Sequence, residues 1–132
     1  MRLLTHNYLQ SNVKGTEKGY PLLIEPTKLE YEESPFDPDF VKALLPKINY
    51  EGLLFAQRQI SAKCAADLSN EFQMPELPET IDENIDETVL KNLHDVMFDI
   101  HVVEGALICP DTGRRFMINM GIPNMILHED EI

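Results

Sequence analysis

The sequence predicts an α+β protein in which both ends of the chain build one small antiparallel sheet and the middle is helical. Two observations support this prediction. Residues 1–33 and 106–127 hold short, partly alternating apolar segments, whereas the chain between them spaces its apolar residues as helices do. Because the strands must bury an apolar face, the simplest packing pairs the N-terminal strands with a C-terminal hairpin and places the helices to one side.

The strands are predicted from local pattern. RLLTHNYL and PLLIEPTKLEY are separated by KGTEKG, where Gly15 and Gly19 indicate a loop. Near the other end, residues 106–109 and 115–118 flank a Pro-Asp-Thr-Gly turn and are predicted to form a β-hairpin. A last strand is predicted at 125–127, ahead of the charged tail HEDEI.

The first of three predicted helices covers about 38–45. Asp37 is a favourable N-cap because its carboxylate can accept hydrogen bonds from the free N–H groups of the first turn. Pro38 suits the first helical position, and Pro46 limits the far end.

The second helix is predicted at about 50–66, after Asn49 as a possible cap. The third covers about 85–99, where Asn84 with Glu87 three residues later resembles a capping box.

The charge balance argues against direct binding of nucleic acid. The chain of 132 residues carries a net charge of −12, and its only adjacent basic pair is Arg114-Arg115. Phosphate binding requires clusters of Lys and Arg, so a partner would have to supply them. The acidic, proline-containing segment 67–83 is predicted to be a linker. For the many carboxylates from Asp67 to Asp99, a solvated loop and helix face is preferred over an acidic surface that selects partners.

The apolar stretches and the cysteines indicate the cellular compartment. There is no apolar stretch of about 18 residues, and polar residues interrupt the N-terminal apolar segment, so neither a membrane span nor a signal peptide is expected. The two cysteines, Cys64 and Cys109, lie far apart, which is typical of reduced thiols in a cytosolic or nuclear protein.

Two kinds of chemical site could involve a cysteine of this chain. Cys-Pro-Asp-Thr-Gly has the form of a metal-binding knuckle in which Thr112 replaces the second cysteine, and no histidine has zinc-finger spacing. A Cys-His nucleophile would use Cys109 or Cys64, but no local signature supports it. Glycine-rich phosphate loops are also absent from the sequence. A small buried side chain before a turn is the preferred interpretation of Cys109.

The stretch 117–127 holds three methionines and no charged residue. An uncharged, methionine-rich surface often binds a partner. The alternative is that all of these side chains face the core, and from the residues alone both interpretations remain open.

Four blocks, MRLLTHNYL, FDPDFV, EGALICPDTGRRF and NMGIPNMIL, occur in this order. They closely resemble the small methyltransferase-activating subunit of eukaryotes, the shared partner of several tRNA, rRNA and release-factor methyltransferases, which also has archaeal relatives. The resemblance covers nearly the whole chain and is weakest across about 57–84. It implies a zinc-ribbon-like β domain formed by residues 1–35 and 101–132, with an inserted three-helix domain at 36–100.

The resemblance also implies a function without catalysis. The subunit would bind class I methyltransferases one at a time as a heterodimer, and the partner would bind S-adenosylmethionine. The contact would include strand addition to the partner's sheet. The complex would act in the cytoplasm and nucleus. The residues predicted to make this contact are Thr5, Asn7, Phe40, Ile122, Pro123, Asn124, Met125 and Ile126.

Some proteins of this type bind zinc through two cysteine pairs. Carried over to this chain, the four positions are Ser11, Thr16, Cys109 and Thr112, so three ligands are missing and no metal is expected. Two alternative functions remain, namely a small zinc-ribbon metalloprotein with its own binding role and an enzyme that uses Cys109 and a histidine.

Overall fold

The computed structural model of the chain describes residues 1–67, 74–82 and 84–132, with side chains for all of these except 63–67. Part of the predicted linker 67–83 and the side chain of Cys64 therefore lie outside the described residues. The elements are α1 (Leu3–Asn7), β1 (Leu23–Tyr31), α2 (Pro38–Leu44), α3 (Tyr50–Asp67), α4 (Glu87–His94), β2 (Ile100–Ile108), β3 (Arg115–Asn119) and β4 (Ile122–Pro123). Single 3-10 turns occur at Leu45–Lys47 and Glu129–Glu131, and a π-helical turn, Asp95–Asp99, joins α4 to β2.

Among the described residues, the four strands form one antiparallel sheet in the order β1-β2-β3-β4. β1 pairs with β2, with Leu23 opposite Ile108. The chain start joins the same strand, because the Met1 amino group donates to the Val102 carbonyl at 2.7 Å and the Val102 N–H donates to the Met1 carbonyl at 2.9 Å. The prediction that both chain ends build one antiparallel sheet is confirmed.

The prediction of a strand in RLLTHNYL is wrong, because residues Leu3–Asn7 form helix α1. Its buried residues Leu3, His6 and Asn7 follow helical spacing and lie on one face, and the helix packs against α3. A helix of little more than one turn is too short for its period to be distinguished in the sequence from an irregular alternation.

The caps of α2 and α3 agree with prediction. The Asp37 carboxylate accepts from Asp39 N–H at 3.0 Å and Phe40 N–H at 3.3 Å. The Asn49 side chain accepts from Gly52 N–H at 3.1 Å. Each cap satisfies N–H groups that have no partner within the helix.

The predicted capping box at Asn84 and Glu87 is wrong. α4 begins at Glu87, and its cap is Asp86, whose carboxylate accepts from Val89 N–H at 2.8 Å. Asp86 has extended backbone angles and stands directly before the helix, so its side chain reaches the free N–H three residues on, whereas Asn84 is too far away.

The hairpin of β2 and β3 is confirmed, but the last strand lies at Ile122–Pro123 and not at the predicted 125–127. Met120 and Gly121 have φ of +52° and +78°, the left-handed pair that a tight two-residue hairpin turn requires. Asn124 N–H still donates to the Met117 carbonyl of β3 at 2.9 Å, and the side-chain oxygen of Asn124 accepts from Ile126 N–H at 3.1 Å, which turns the chain away from the sheet.

The apolar core is continuous between the helices and the sheet. Leu53 of α3, Leu93 of α4, Leu107 of β2 and Phe116 of β3 are all fully buried members of one cluster. The division into a β domain and an inserted helical domain stays a prediction.

Candidate functional site

Four of the exposed large apolar side chains lie on the hairpin of β3 and β4 or just after it, at one edge of the sheet. We call Met117, Met120, Ile122 and Ile126 the apolar edge, and their exposed fractions range from 50% to 84%. Phe116 and Ile118 alternate with these residues on β3 and are buried, so β3 presents Met117 to solvent. Stretch 117–127 is therefore divided between core and surface, and each of the two interpretations from the sequence holds for part of it.

The turn between β3 and β4 is held against the rest of the sheet. Gly121 N–H donates to the Val103 carbonyl at 2.8 Å, and Met120 N–H donates to the Glu104 carboxylate at 3.2 Å. These bonds position the most exposed methionine, Met120, at the tip of a fixed hairpin. The apolar edge is thus presented on ordered backbone, which lowers the entropy that a partner must overcome to bind it.

The other predicted contact residues divide into two groups. Thr5 on α1 and Phe40 on α2 are exposed, as is Asn124. Asn7 is buried, and its side-chain amide donates to the Asn49 carbonyl at 2.7 Å and accepts from Asn49 N–H at 2.9 Å, so it positions α3 inside the protein. Met125 is half-buried and packs against the core.

Open clefts connect the exposed members of this set. A cleft of about 750 Å³ lies between Thr5 and the Met120-Gly121 turn, with Arg2 on its wall. A second cleft, of about 150 Å³, is lined by Arg2 and Phe40. One surface therefore runs from α2 past α1 to the apolar edge. The sequence alone could not place these segments side by side, because Phe40 and Ile122 are more than 80 residues apart in the chain.

The four positions of the degenerate knuckle come together in the structure. Cys109 Sγ lies 3.6 Å from Thr16 Oγ1 and accepts from Thr112 N–H at 3.4 Å. Burial acts to raise the pKa of the Cys109 thiol, but hydrogen bonds from Ser11, Thr112 and Thr16 outweigh burial and lower the pKa to about 6. One thiol and three hydroxyls do not fit zinc, which takes thiolate, imidazole or carboxylate ligands.

Hydrogen bonds link the two halves of this knuckle. The Asp111 carboxylate accepts from Glu17 N–H at 2.5 Å and Lys18 N–H at 3.2 Å. The pKa of Asp111 is lowered because these two backbone N–H groups favour its charged form. Among the described residues, the groups that hydrogen-bond the Cys109 sulfur are hydroxyls and a backbone amide and include no histidine, so the geometry offers no base for a Cys-His nucleophile.

A second polar cluster was missed by the sequence analysis. His94 Nε2 lies 3.5 Å from Asp99 Oδ1 and 3.2 Å from Ser34 Oγ, and Ser34 Oγ donates to Asp99 Oδ1 at 2.5 Å. Ser34 and Asp99 meet the same ring nitrogen, so this is not a hydrolytic triad, in which the acid orients the other nitrogen. Asp95 and Asp99 are four residues apart, about one α-helical turn, but His94 and Asp99 are five apart and come together through the π-helical turn, which the sequence did not indicate.

These features define a small acidic α+β protein with an ordered, apolar sheet edge of the kind suited to strand addition. The chain belongs to the Trm112p-like protein family, whose sequence profile matches residues 2–121.

Similar proteins are known along the whole chain. Multifunctional methyltransferase subunit TRM112 homolog A of Arabidopsis thaliana is 42% identical over 132 residues, covering 100% of both chains. Multifunctional methyltransferase subunit trm112 of Schizosaccharomyces pombe is 35% identical over 135 residues, also covering 100% of both. The fold is similar to that of a chain in a structure of the E. cuniculi Mtq2-Trm112 complex, with a TM-score of 0.55 and 15% identity over 96% of this chain and 95% of that one.

In the part of the chain that the structure describes, no helix is long and apolar enough to cross a membrane.

Proposed function

We propose that this protein is a non-catalytic activating subunit of several S-adenosylmethionine-dependent methyltransferases that modify tRNA, rRNA and a translation release factor. The observation that carries the proposal is full-length similarity to proteins named multifunctional methyltransferase subunits. The neighbouring structure, described as a complex responsible for methylation of the eRF1 translation termination factor, gives the same class of partner.

The apolar edge supplies the physical basis of binding. β4 is the outer strand of the sheet, and a partner strand laid beside it would extend the sheet across both proteins. Fully burying one isoleucine side chain contributes roughly 1.5–3 kcal/mol before the costs of association are subtracted. Ile122 and Ile126 are therefore the expected anchors, with Met117 and Met120 adapting to different partners.

Activation follows from mass action. A subunit that binds only the folded methyltransferase raises the population of that state and shields apolar surface that would otherwise aggregate. S-adenosylmethionine would be bound by the partner, and with a net charge of −12 this chain would leave RNA binding to the partner as well. A subunit of enzymes that modify tRNA, rRNA and a release factor would act in the cytoplasm and the nucleus.

The zinc-ribbon-like part would be free of zinc. Its support is the donor set of one thiol and three hydroxyls, together with the Asp111 bonds that link the two halves of the knuckle. The alternative of a zinc metalloprotein centred on Cys109 is not favoured, because that donor set lacks three of the four ligands of a structural site.

The decisive test is co-purification of methyltransferases with Ile126→Asp. Ile132→Asp is a matched control, since both isoleucines are exposed, 75% for Ile126 and 78% for Ile132, but Ile132 lies in the charged tail. We expect Ile126→Asp to lose its partners while Ile132→Asp keeps them, with both proteins folded. Met125→Asp is a poorer probe because Met125 also packs on the core. Equal recovery of methyltransferases with both variants would contradict the assigned surface, and recovery of none with the unchanged protein would contradict the function.

A further inference from the structure

We propose that Arg2 binds a carboxylate of the methyltransferase subunit, on an aspartate or glutamate that comes to lie beside the apolar edge when the two proteins associate. This inference rests on the proposed function, because it adds a polar contact to the same surface. Arg2 lies on the walls of both clefts that adjoin this surface, the one of about 750 Å³ and the one of about 150 Å³.

Arg2 differs from the other arginines of the chain, all of which lie among the described residues. The other three each form an ion pair with a carboxylate: Arg58 with Glu79, Arg114 with Glu131 and Arg115 with Glu25. Among the described residues, no carboxylate oxygen lies within 4.0 Å of the Arg2 guanidinium. The chain has 23 acidic side chains against 11 basic ones, so the missing ion pair is not due to a shortage of acids.

The Arg2 side chain lies against an aromatic ring instead. Its guanidinium carbon is 6.0 Å from the centre of the Phe98 ring, and Phe98 lies 6.0 Å from the exposed ring of Phe40. A guanidinium over the face of a ring keeps its N–H groups available for a carboxylate, because they lie in the plane of the group. The ring contact therefore orients Arg2 without using its hydrogen-bond donors.

The backbone of Arg2 is fixed although its side chain is exposed. Arg2 forms an antiparallel bridge with His101 of β2, and its carbonyl accepts from His6 N–H at 3.3 Å. A partner would thus meet the guanidinium at a defined place, which lowers the entropy lost on binding. Both backbone contacts are available to any side chain at this position, so Arg2 can be replaced without changing the fold.

Partner binding would remove Arg2 from water. A stable interface uses about 20–30 residues on each side, more than the four of the apolar edge, so it must extend over the adjoining clefts. A charged group covered by a partner is costly unless the partner supplies an acceptor. A carboxylate matches a guanidinium in charge and can accept two parallel hydrogen bonds from it.

The carboxylates that line the clefts favour a protein ligand over RNA. Three of them contact other groups, namely Asp37 with Asp39 N–H at 3.0 Å, Glu104 with Met120 N–H at 3.2 Å and Glu30 with Lys28 Nζ at 3.6 Å. Glu32 lines the larger cleft as well. These negative charges repel a polyanion, whereas one carboxylate held in place by the partner's fold can reach Arg2.

The test uses one methyltransferase, identified by its recovery with the unchanged protein. It is co-expressed with the unchanged protein and one variant under different tags, and the ratio of the two complexes gives their relative affinity. Arg2→Glu should bind at least about tenfold more weakly. Arg2→Met, which keeps the length of the side chain without its charge, should lose less. Arg2→Lys should recover part of the affinity, because it returns the charge but not the planar fork.

Arg58→Glu is the matched control. Arg58 is also exposed, and the substitution changes the net charge by the same amount, but it lies on α3 and pairs with Glu79. It should compete as well as the unchanged protein. Circular dichroism and thermal unfolding check that each variant is folded.

Charge reversal on the methyltransferase locates the acceptor. Single aspartates and glutamates of the methyltransferase are changed to arginine and combined with Arg2→Glu. One of these changes should restore binding, which a purely structural role of Arg2 would not produce.

Three outcomes would overturn the contact. Equal competition by Arg2→Glu and Arg58→Glu would leave at most an effect of net charge. If no reversal restores binding, the guanidinium does not face a carboxylate. Full methyltransferase binding by Arg2→Glu, with weaker RNA binding by the complex, would assign Arg2 to a phosphate. Recovery of no methyltransferase with the unchanged protein contradicts the proposed function itself, and it is seen before any variant is compared.

Discussion

At one margin of the sheet, Ile24 of β1 donates its outward N–H to Gln59 Oε1 of α3 at 2.8 Å, and helix α3 packs along the strand. At the other margin, β4 has two residues and carries Ile122, which is 71% exposed. An uncovered strand edge with apolar side chains is an aggregation hazard that proteins normally avoid. A chain that covers one margin and leaves the other apolar is best understood as built to have the second margin covered by a partner.

The largest expected effect is on the open margin. Ile122→Lys should weaken methyltransferase binding by at least about thirtyfold, equivalent to the loss of about 2 kcal/mol expected for a central interface anchor. Its unfolding free energy should stay within about 0.5 kcal/mol of the unchanged protein, because the side chain is largely exposed. Binding measured by calorimetry and stability measured by urea unfolding check both halves. A stable variant that binds at full strength would remove β4 from the interface.

A change at the covered margin should lower the stability of the protein and leave partner binding unchanged, the reverse of the effect expected at the open margin. Gln59→Leu removes the acceptor for Ile24 N–H and should destabilise the protein by about 1–3 kcal/mol, because a part-buried donor is left without a partner. Gln59→Glu keeps an acceptor in place and is the matched control. Partner binding by folded Gln59→Leu should be unchanged. Weaker partner binding by Gln59→Leu than by the unchanged protein, measured at the same folded fraction, would show that the two margins are coupled.

The turn that presents the open margin offers a stabilising change. Met120 has φ of +52° at a position where asparagine followed by glycine is preferred, so Met120→Asn should raise the unfolding free energy by about 0.5–1 kcal/mol. Met117→Asn removes an exposed methionine from β3 without touching the turn, and it should show no such gain. Thermal unfolding of the two variants shows whether a gain in stability comes from the geometry of the turn or from the removal of an exposed methionine. Equal stability of both would contradict the assigned turn.

The smallest expected effect concerns the tail beyond the open margin. Arg114 forms two hydrogen bonds to the Glu131 carboxylate, which lower the pKa of Glu131 to about 2. Because this pKa is lower than in the unfolded chain, the contact stabilises the fold above the ordinary pKa of 4.5 and is lost as pH falls towards 2.

Unfolding midpoints measured across this pH window check the tail contact. Glu131→Gln should flatten part of the acid dependence, whereas Glu129→Gln, the neighbouring acid of the same turn, should leave it closer to that of the unchanged protein. An identical acid dependence in Glu131→Gln would contradict the contact.

The sequence predicted much of the fold because its signals were local. Asp37 with Pro38 placed the start of α2, and Asn49 placed the start of α3, since a cap depends on atoms two or three residues away. The hairpin of β2 and β3 followed in the same way from a turn between alternating segments. The errors also had local causes: Asp86 and Asn84 offer similar cap chemistry, and α1 is too short to show a period.

The candidate site was only partly predictable. The family resemblance directed attention to 122–126, and the structure does expose Ile122 and Ile126. It also buries Asn7 against the backbone of Asn49, a contact between segments 42 residues apart. The cluster around Asp99 could not be predicted, because it depends on Ser34 reaching across 65 residues and on a helical turn of unusual pitch.

By itself, the sequence determined the α+β class, the pairing of the two chain ends, the caps of α2 and α3 and the acidic charge, because periodicity, capping and charge belong to neighbouring residues. Only the tertiary structure decided which apolar residues of 117–127 enter the core and which remain outside. That choice depends on which distant segments pack against each side chain. Phe116 and Ile118 of β3 join the core cluster, α3 covers the margin of β1, and no described element of the chain lies beyond β4.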